Sequence, residues 1–270
     1  MPFFKHVGLD FHYQDKGSGI PFVFQHGLGG DVSQPFGLFS PPEGFRLLAF
    51  DCRAHGQTRP LGDPMKIGLS SFADDLRAFL DHKGLTQAVV GGISMGAAIT
   101  LNFALRFPNR VLGLVQSRAA WLDGPMEHNA RIFSEIARLI RMEGSQRGLV
   151  LFKMSEDFLE MRRQSIDSAN ALEGQFTNPR AEETVVKLER IPVDAPNLNR
   201  EEWKSIRVPT LVLANRQDPI HPFEYGEILA KTIPAAEFYE LTPKSVSLER
   251  HGADVQRFLE EFLVKHFSKK

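Results

Sequence analysis

A single cysteine, Cys52, in 270 residues excludes an intramolecular disulfide and leaves no Cys-x-x-Cys pair for metal or redox chemistry. No His-Glu-x-x-His or comparable ligand spacing occurs, so neither a metal nor another cofactor is expected. Charge of one sign is missing too: 32 basic residues stand against 33 acidic ones, a net −1, which gives no reason to expect a nucleic-acid or anionic-membrane partner. No apolar run approaches membrane-spanning length, and the start Met1-Pro2-Phe3-Phe4-Lys5-His6 lacks a basic-then-apolar signal region. A cytoplasmic chain without internal repeats is the expectation. What is present, 42% hydrophobic and 24% charged residues, is ordinary for a globular protein that can bury a substantial core.

Short apolar runs alternate with helical patterns. Strands are expected at 3–7, 10–14, 21–25, 45–50, 87–91, 111–115, 209–214 and 236–241. Helices are expected from about Ser71, from near Ser94 to Phe107, from Phe223 to Lys231 and from Asp254 to Phe267, with apolar residues at helical spacing on one face. That alternation predicts an α/β fold with a doubly wound, mostly parallel sheet of about eight strands, whose ligands bind at the carboxyl ends of the strands. Between about Leu122 and Lys204 the alternation stops. Helical patterns at 130–142, 157–172 and 181–190 read as an all-helical cap, dividing the chain into a core of 1–121 and 205–270 and a cap insertion of 122–204. Met126, Met142, Met154 and Met161 fall in or beside this insertion and read as gap-filling core side chains.

Gly92-Ile93-Ser94-Met95-Gly96 stands where an apolar strand runs into a helix. A serine there is held on a sharp, strained turn with its hydroxyl clear of both elements, and glycines on either side let strand and helix cross closely. Gly-x-Ser-x-Gly arises by chance in about one chain in ten of this size, so the context carries the reading. His26-Gly27-Leu28-Gly29-Gly30, after an expected strand, can turn backbone amides toward one point. The Leu28 and Met95 amides are therefore the candidate oxyanion donors. Without Gly-Lys-Ser/Thr, a phosphate loop is not expected.

A nucleophilic serine needs a general base and a group to orient it. Of nine histidines, His251 is the candidate base, in a polar loop expected between the last strand and the last helix. His221, three residues after Asp218, is its competitor. His26 and His55 read as structural and His266 as solvated. Asp218, at the end of an expected strand and before Pro219, is the candidate orienting carboxylate, giving the order Ser94, Asp218, His251. Arg118 and Trp121, past the 111–115 strand, are candidate substrate-binding residues. A guanidinium there suits a carboxylate, although a salt bridge between core and cap is the alternative for Arg118.

His26 to Gly30, Asp51-Cys52-Arg53-Ala54-His55-Gly56-Gln57-Thr58, Gly92 to Gly96 and Asp218, in that order, resemble the α/β-hydrolase superfamily, especially its capped esterase, lactonase and carbon–carbon hydrolase branch. The resemblance covers nearly the whole chain and is weakest in the cap. It implies an eight-stranded fold and a Ser–His–Asp triad with an acyl-enzyme intermediate. Ala54 and Thr58 replace a glycine and a serine of the family's Asp-x-Arg-Gly-x-Gly-x-Ser turn, a segment that is usually structural. The family's Gly-His before the final helix is here Arg250-His251. Serine at position 94 departs from haloalkane dehalogenases and epoxide hydrolases, which carry Asp there. The expected activity is cleavage of a small to medium carboxylic ester or lactone, a small-molecule substrate. Diketone carbon–carbon hydrolysis, acyl transfer to another acceptor, and a ligand receptor on a hydrolase scaffold are the alternatives. Nothing in the sequence sets the oligomeric state.

Overall fold

In the computed structural model, which describes residues 2–126, 129–234 and 236–268, strands and helices alternate as the apolar runs predict. The chain runs β1 (Phe3–His6), β2 (Leu9–Gly17), β3 (Ile20–Gln25), α1 (Ser33–Leu38), β4 (Phe45–Phe50), α2 (Leu69–His82), β5 (Ala88–Ile93), α3 (Met95–Arg106) and β6 (Val111–Ser117). Helices α4 (Ala130–Lys153), α5 (Glu156–Gln164), α6 (Ile166–Thr177), α7 (Ala181–Thr184) and α8 (Val186–Arg190) come next. The chain then returns to the sheet with β7 (Thr210–Ala214), α9 (Phe223–Thr232), β8 (Ala236–Glu240) and α10 (Leu248–Phe267). The eight strands form one sheet in the order β1-β2-β4-β3-β5-β6-β7-β8. Strand β2 pairs antiparallel with β1 and β4, and the other pairings are parallel.

Alternation along the parallel strands builds a core on each face of the sheet. Val23, Val90, Leu114 and Val212 pack with Phe72, Leu76 and Phe79 of α2 and Ile99 and Phe103 of α3. Phe22, Phe24, Val89, Val115, Leu211 and Leu213 point the other way, into Val255, Leu259, Phe262 and Leu263 of α10. No helix among the described residues is long and apolar enough to cross a membrane.

Several boundaries differ from the sequence reading, each for a local reason. Helix α10 starts six residues before the expected Asp254, because the Ser247 hydroxyl accepts from the Arg250 amide at 3.2 Å and caps it. His251 is therefore on the first turn of a helix rather than in a loop. The expected 157–172 helix is two helices, because Ser165 is extended (φ −156°) and its hydroxyl caps α6 through the Ser168 amide. The helix starting at Ala130 continues to Lys153, with a break at Gly144 (φ 75°). Met126 and Met161 are buried, but Met142 and Met154 are 72% and 74% exposed and fill no core.

Between β6 and β7 the described residues hold helices and no strand; residues 127 and 128, inside the expected cap, lie outside the described residues, as do the chain ends 1 and 269–270. Helix α6 lies over the carboxyl ends of the strands. At one end the Ser168 hydroxyl reaches Asp218 Oδ1 at 3.4 Å; further along, Gln175 Nε2 is 2.6 Å from where a β-carbon on Gly29 would stand. Seven helical residues separate the two contacts, about 10 Å along the axis.

The turn after β4 is structural. Asp51 accepts from the Val32 amide (2.8 Å) and the Gln57 amide (2.7 Å) and pairs with His12 Nδ1 (2.7 Å), tying the loop after β3 to the turn. Arg53 makes a two-pronged ion pair with Asp75 of α2 at 2.7 and 2.6 Å, with both residues buried. Removing one partner of a buried pair leaves an uncompensated charge. Asp75→Ala should therefore lower unfolding stability by about 3–5 kcal/mol in urea titrations, and adding Arg53→Leu should recover much of the loss. A loss below about 1 kcal/mol would contradict a structural role for the pair.

Candidate active site

Ser94 occupies the junction of β5 and α3 with φ 55° and ψ −111°, a conformation that L-residues other than glycine seldom adopt. The strain is enforced by close packing on both sides. A β-carbon on Gly92 would stand 2.2 Å from the Gly96 carbonyl carbon, and one on Gly96 would stand 2.3 Å from the Gln25 oxygen. The Ser94 amide continues the sheet by donating to the Ser117 carbonyl (3.0 Å), and the Ser94 carbonyl accepts from Ala98 (3.2 Å) as the helix begins.

The loop after β3 lies alongside. A β-carbon on Gly27 would be 3.5 Å from Ser94 Cβ, so Leu28 and Ser94 belong to one edge of the sheet. The loop is held from behind. The Gly27 amide donates to Gln34 Oε1 (2.7 Å), His26 Nδ1 sits 2.8 Å from the Gly27 carbonyl, and His55 Nε2 sits 2.9 Å from the Leu28 carbonyl. His26 Nε2 accepts from the Cys52 amide at 3.1 Å, which fixes its proton on Nδ1. Both imidazoles thus serve as braces, and burial pushes both below their ordinary pKa. Among the described residues, the Leu28 and Met95 amides have no hydrogen-bond partner in the chain.

The remaining groups stand on the loops after β6, β7 and β8. Asp218 Oδ2 accepts from Arg118 Nε and Nη2 at 2.8 and 2.6 Å, and the Asp218 carboxylate meets His221 Nδ1 at 2.9 and 3.0 Å. A carboxylate only accepts, so His221 carries its proton on Nδ1 and leaves a lone pair on Nε2. His251 Nδ1 instead sits 2.8 Å from the Thr242 carbonyl, which also places its lone pair on Nε2. The structure thus brings Asp218 together with His221 and Arg118, while His251 is tied to the backbone. The i, i+3 spacing of Asp218 and His221 was the visible signal for that pairing.

Electrostatics separate the two histidines. Burial alone would raise the Asp218 carboxyl, but the His221 and Arg118 charges outweigh it and hold the group well below the usual carboxylate range. Burial pushes His221 below its ordinary value; Asp218 opposes this, and the Arg118 and Lys244 cations reinforce it. For His251 burial is again the first cause. The Thr242 carbonyl works against it, Arg118 and Lys244 add to it, and the imidazole falls to about 4. Ser94, Asp218, His221 and His251 are all buried.

Arg118 follows β6 with φ 50°, and its guanidinium pairs with Asp218 and, at 3.6 Å, with Asp167 of α6. Lys244, from the loop after β8, also reaches Asp167, at 3.5 Å. Two cations therefore face two carboxylates at the strand ends, and Asp167, Ser168 and Lys244 join the cluster without a sequence motif to announce them. Trp121 is 2% exposed, and its Nε1 has no partner among the described residues. No cluster of three or more His, Cys, Asp or Glu suited to a metal ion occurs among them.

Comparison with known proteins places the chain in a family. The family model for the alpha/beta hydrolase fold matches residues 20–245. The AB hydrolase superfamily protein YisY of Bacillus subtilis is 26% identical over 241 residues, 86% of each chain. Lipase 1 of Psychrobacter immobilis is 27% identical over 239 residues, 83% of this chain and 71% of the lipase. Among solved structures, the enol-lactonase of Burkholderia xenovorans LB400 superposes with a TM-score of 0.73 at 22% identity, covering 97% of this chain and 100% of that one. The chain belongs to the alpha/beta hydrolase fold family.

Proposed function

We propose that the protein is a serine hydrolase that cleaves a small to medium carboxylic ester or lactone through an acyl-enzyme intermediate. The observation that carries the reading is Ser94 itself, a buried non-glycine residue held at positive φ where β5 meets α3. A strained residue at a strand-to-helix turn is the known setting of a nucleophilic serine. Its hydroxyl attacks the acyl carbon, and the oxyanion is held by the Leu28 and Met95 amides. The Met95 amide also opens α3, so the helix N-terminus adds positive potential there. The family relationship to a lipase supports ester chemistry.

The base in this reading is His221, with Asp218 orienting it. A base works best with a pKa near the operating pH, and it must tolerate becoming a cation. His221 meets a carboxylate through Nδ1, which stabilises the imidazolium as Nε2 takes the serine proton. His251, at about 4 and facing Arg118 and Lys244 with only a carbonyl on Nδ1, is the weaker candidate. Arg118 positions Asp218 in this scheme.

Incubation with a fluorophosphonate followed by intact mass tests both assignments. One adduct is expected on the wild type, none on Ser94→Ala, labelling slowed 100-fold or more on His221→Ala, and labelling close to wild type on His251→Ala. An unlabelled wild type overturns the nucleophile; labelling lost in His251→Ala but kept in His221→Ala transfers the base to His251. The pH profile is a second check. Burial lowers His221 from its ordinary value, so it titrates on the acid side of a free imidazole. The midpoint of the wild-type labelling rate against pH should therefore lie below that of a free imidazole; a midpoint above it would contradict the assignment.

A further inference from the structure

The Leu28 amide rides on a turn over residues 27–30, closed by the Gly30 amide donating to the Gly27 carbonyl at 3.0 Å. From the core side this turn is held by Gln34, His26 and His55. Its other side meets α6. Gly29, next to Leu28, is exposed and lies outside the left-handed region, so its backbone conformation does not call for glycine. A neighbour does. A β-carbon on Gly29 would stand 2.6 Å from Gln175 Nε2 and 3.7 Å from Gln175 Cδ, the first closer than a side chain tolerates. Chain neighbours aside, no other described residue comes within 4 Å of that point.

Gln175 is presented by a fixed helix. It is 6% exposed, and its Nε2 donates to the Ala171 carbonyl one turn back at 3.3 Å. Phe176, the next residue, packs on Phe152 of α4 with ring centroids 5.3 Å apart. Ser168, two turns before Gln175, reaches Asp218 Oδ1 at 3.4 Å. One helix thus touches the candidate acid at one end and the Leu28 turn at the other.

We propose that Gln175 is a positioning residue for the oxyanion turn, setting the place of the Leu28 amide by seating its side-chain amide on Gly29. An oxyanion donor has to stand within about 2.7–3.1 Å of the developing charge. A turn with glycine at 27, 29 and 30 deforms easily, so contacts on both of its sides are needed to hold that distance. A glutamine kept only to pack among the helices would not need a glycine opposite its amide. The inference rests on Ser94 as nucleophile and Leu28 as oxyanion donor.

Fluorophosphonate labelling rates and p-nitrophenyl acetate kinetics on wild type, Gln175→Ala, Gly29→Ala and the double variant test it. Each single change should slow labelling about tenfold and lower kcat by about as much, with KM within about twofold of wild type. In Gly29→Ala the added methyl pushes the amide off the turn. In the double variant that methyl fills the space the amide leaves, so labelling should be no slower than in either single variant. Single variants at the wild-type rate, a loss carried by KM alone, or losses that multiply in the double variant overturn the proposal. Folding is checked by Tm; Gly29→Ala, at an exposed turn position, keeps the test decisive if Gln175→Ala does not fold. If the wild type labels and the variants match it, only the Gln175 assignment fails. If the wild type does not label, the nucleophile fails, and hydrogen exchange of the peptide spanning residues 26–30 decides Gln175 alone. Faster exchange of the Gly27 and Gly30 amides in Gln175→Ala then supports the brace, and unchanged exchange overturns it.

Discussion

The close approach of α3 to the ends of β3 and β5 is the constraint from which the site follows. At Gly96 the backbone of the helix meets the Gln25 carbonyl, and at Gly92 the strand meets Gly96, at separations that admit no methyl group. With the helix pressed this far down, the chain has no room for an ordinary turn, and Ser94 is driven to positive φ. The same contact pins the end of β3, three residues before Leu28, against the start of α3. The strained Ser94, the Met95 amide and the Leu28 loop are therefore products of one packing decision. Asp51 and the imidazoles His26 and His55 then fix the loop from behind.

The second constraint is charge. The loops after β6, β7 and β8 deliver Arg118, Asp218 and Lys244 to one buried edge, and α6 adds Asp167. Arg118 and Asp218 are buried, and in a medium of low dielectric neither could stand alone. Together they are neutral, and Asp218 has an oxygen edge left for His221. Arg118 thereby acts on both partners of the pair: its cation holds the Asp218 carboxyl ionised and at the same time lowers His221. Two of the three guanidinium nitrogens of Arg118, Nε and Nη2, are held by Asp218.

The fold was largely legible because parallel strands buried on both faces write themselves as uninterrupted apolar runs; Phe45–Phe50 was read to the residue. Boundaries failed where a polar side chain decided them, as with Ser247 capping α10 and Ser165 dividing α5 from α6. Ser94, Leu28, Met95 and Asp218 were nameable because each rides on a strand end with a glycine or proline signal beside it. The partner of Asp218 was harder, since two histidines lie near the strand ends and the choice depends on which Nδ1 meets a carboxylate. The groups contributed by the helical insertion were not legible at all. Asp167 and Ser168 carry no motif, and their contacts with Arg118 and Asp218 exist only once α6 is laid over the strand ends.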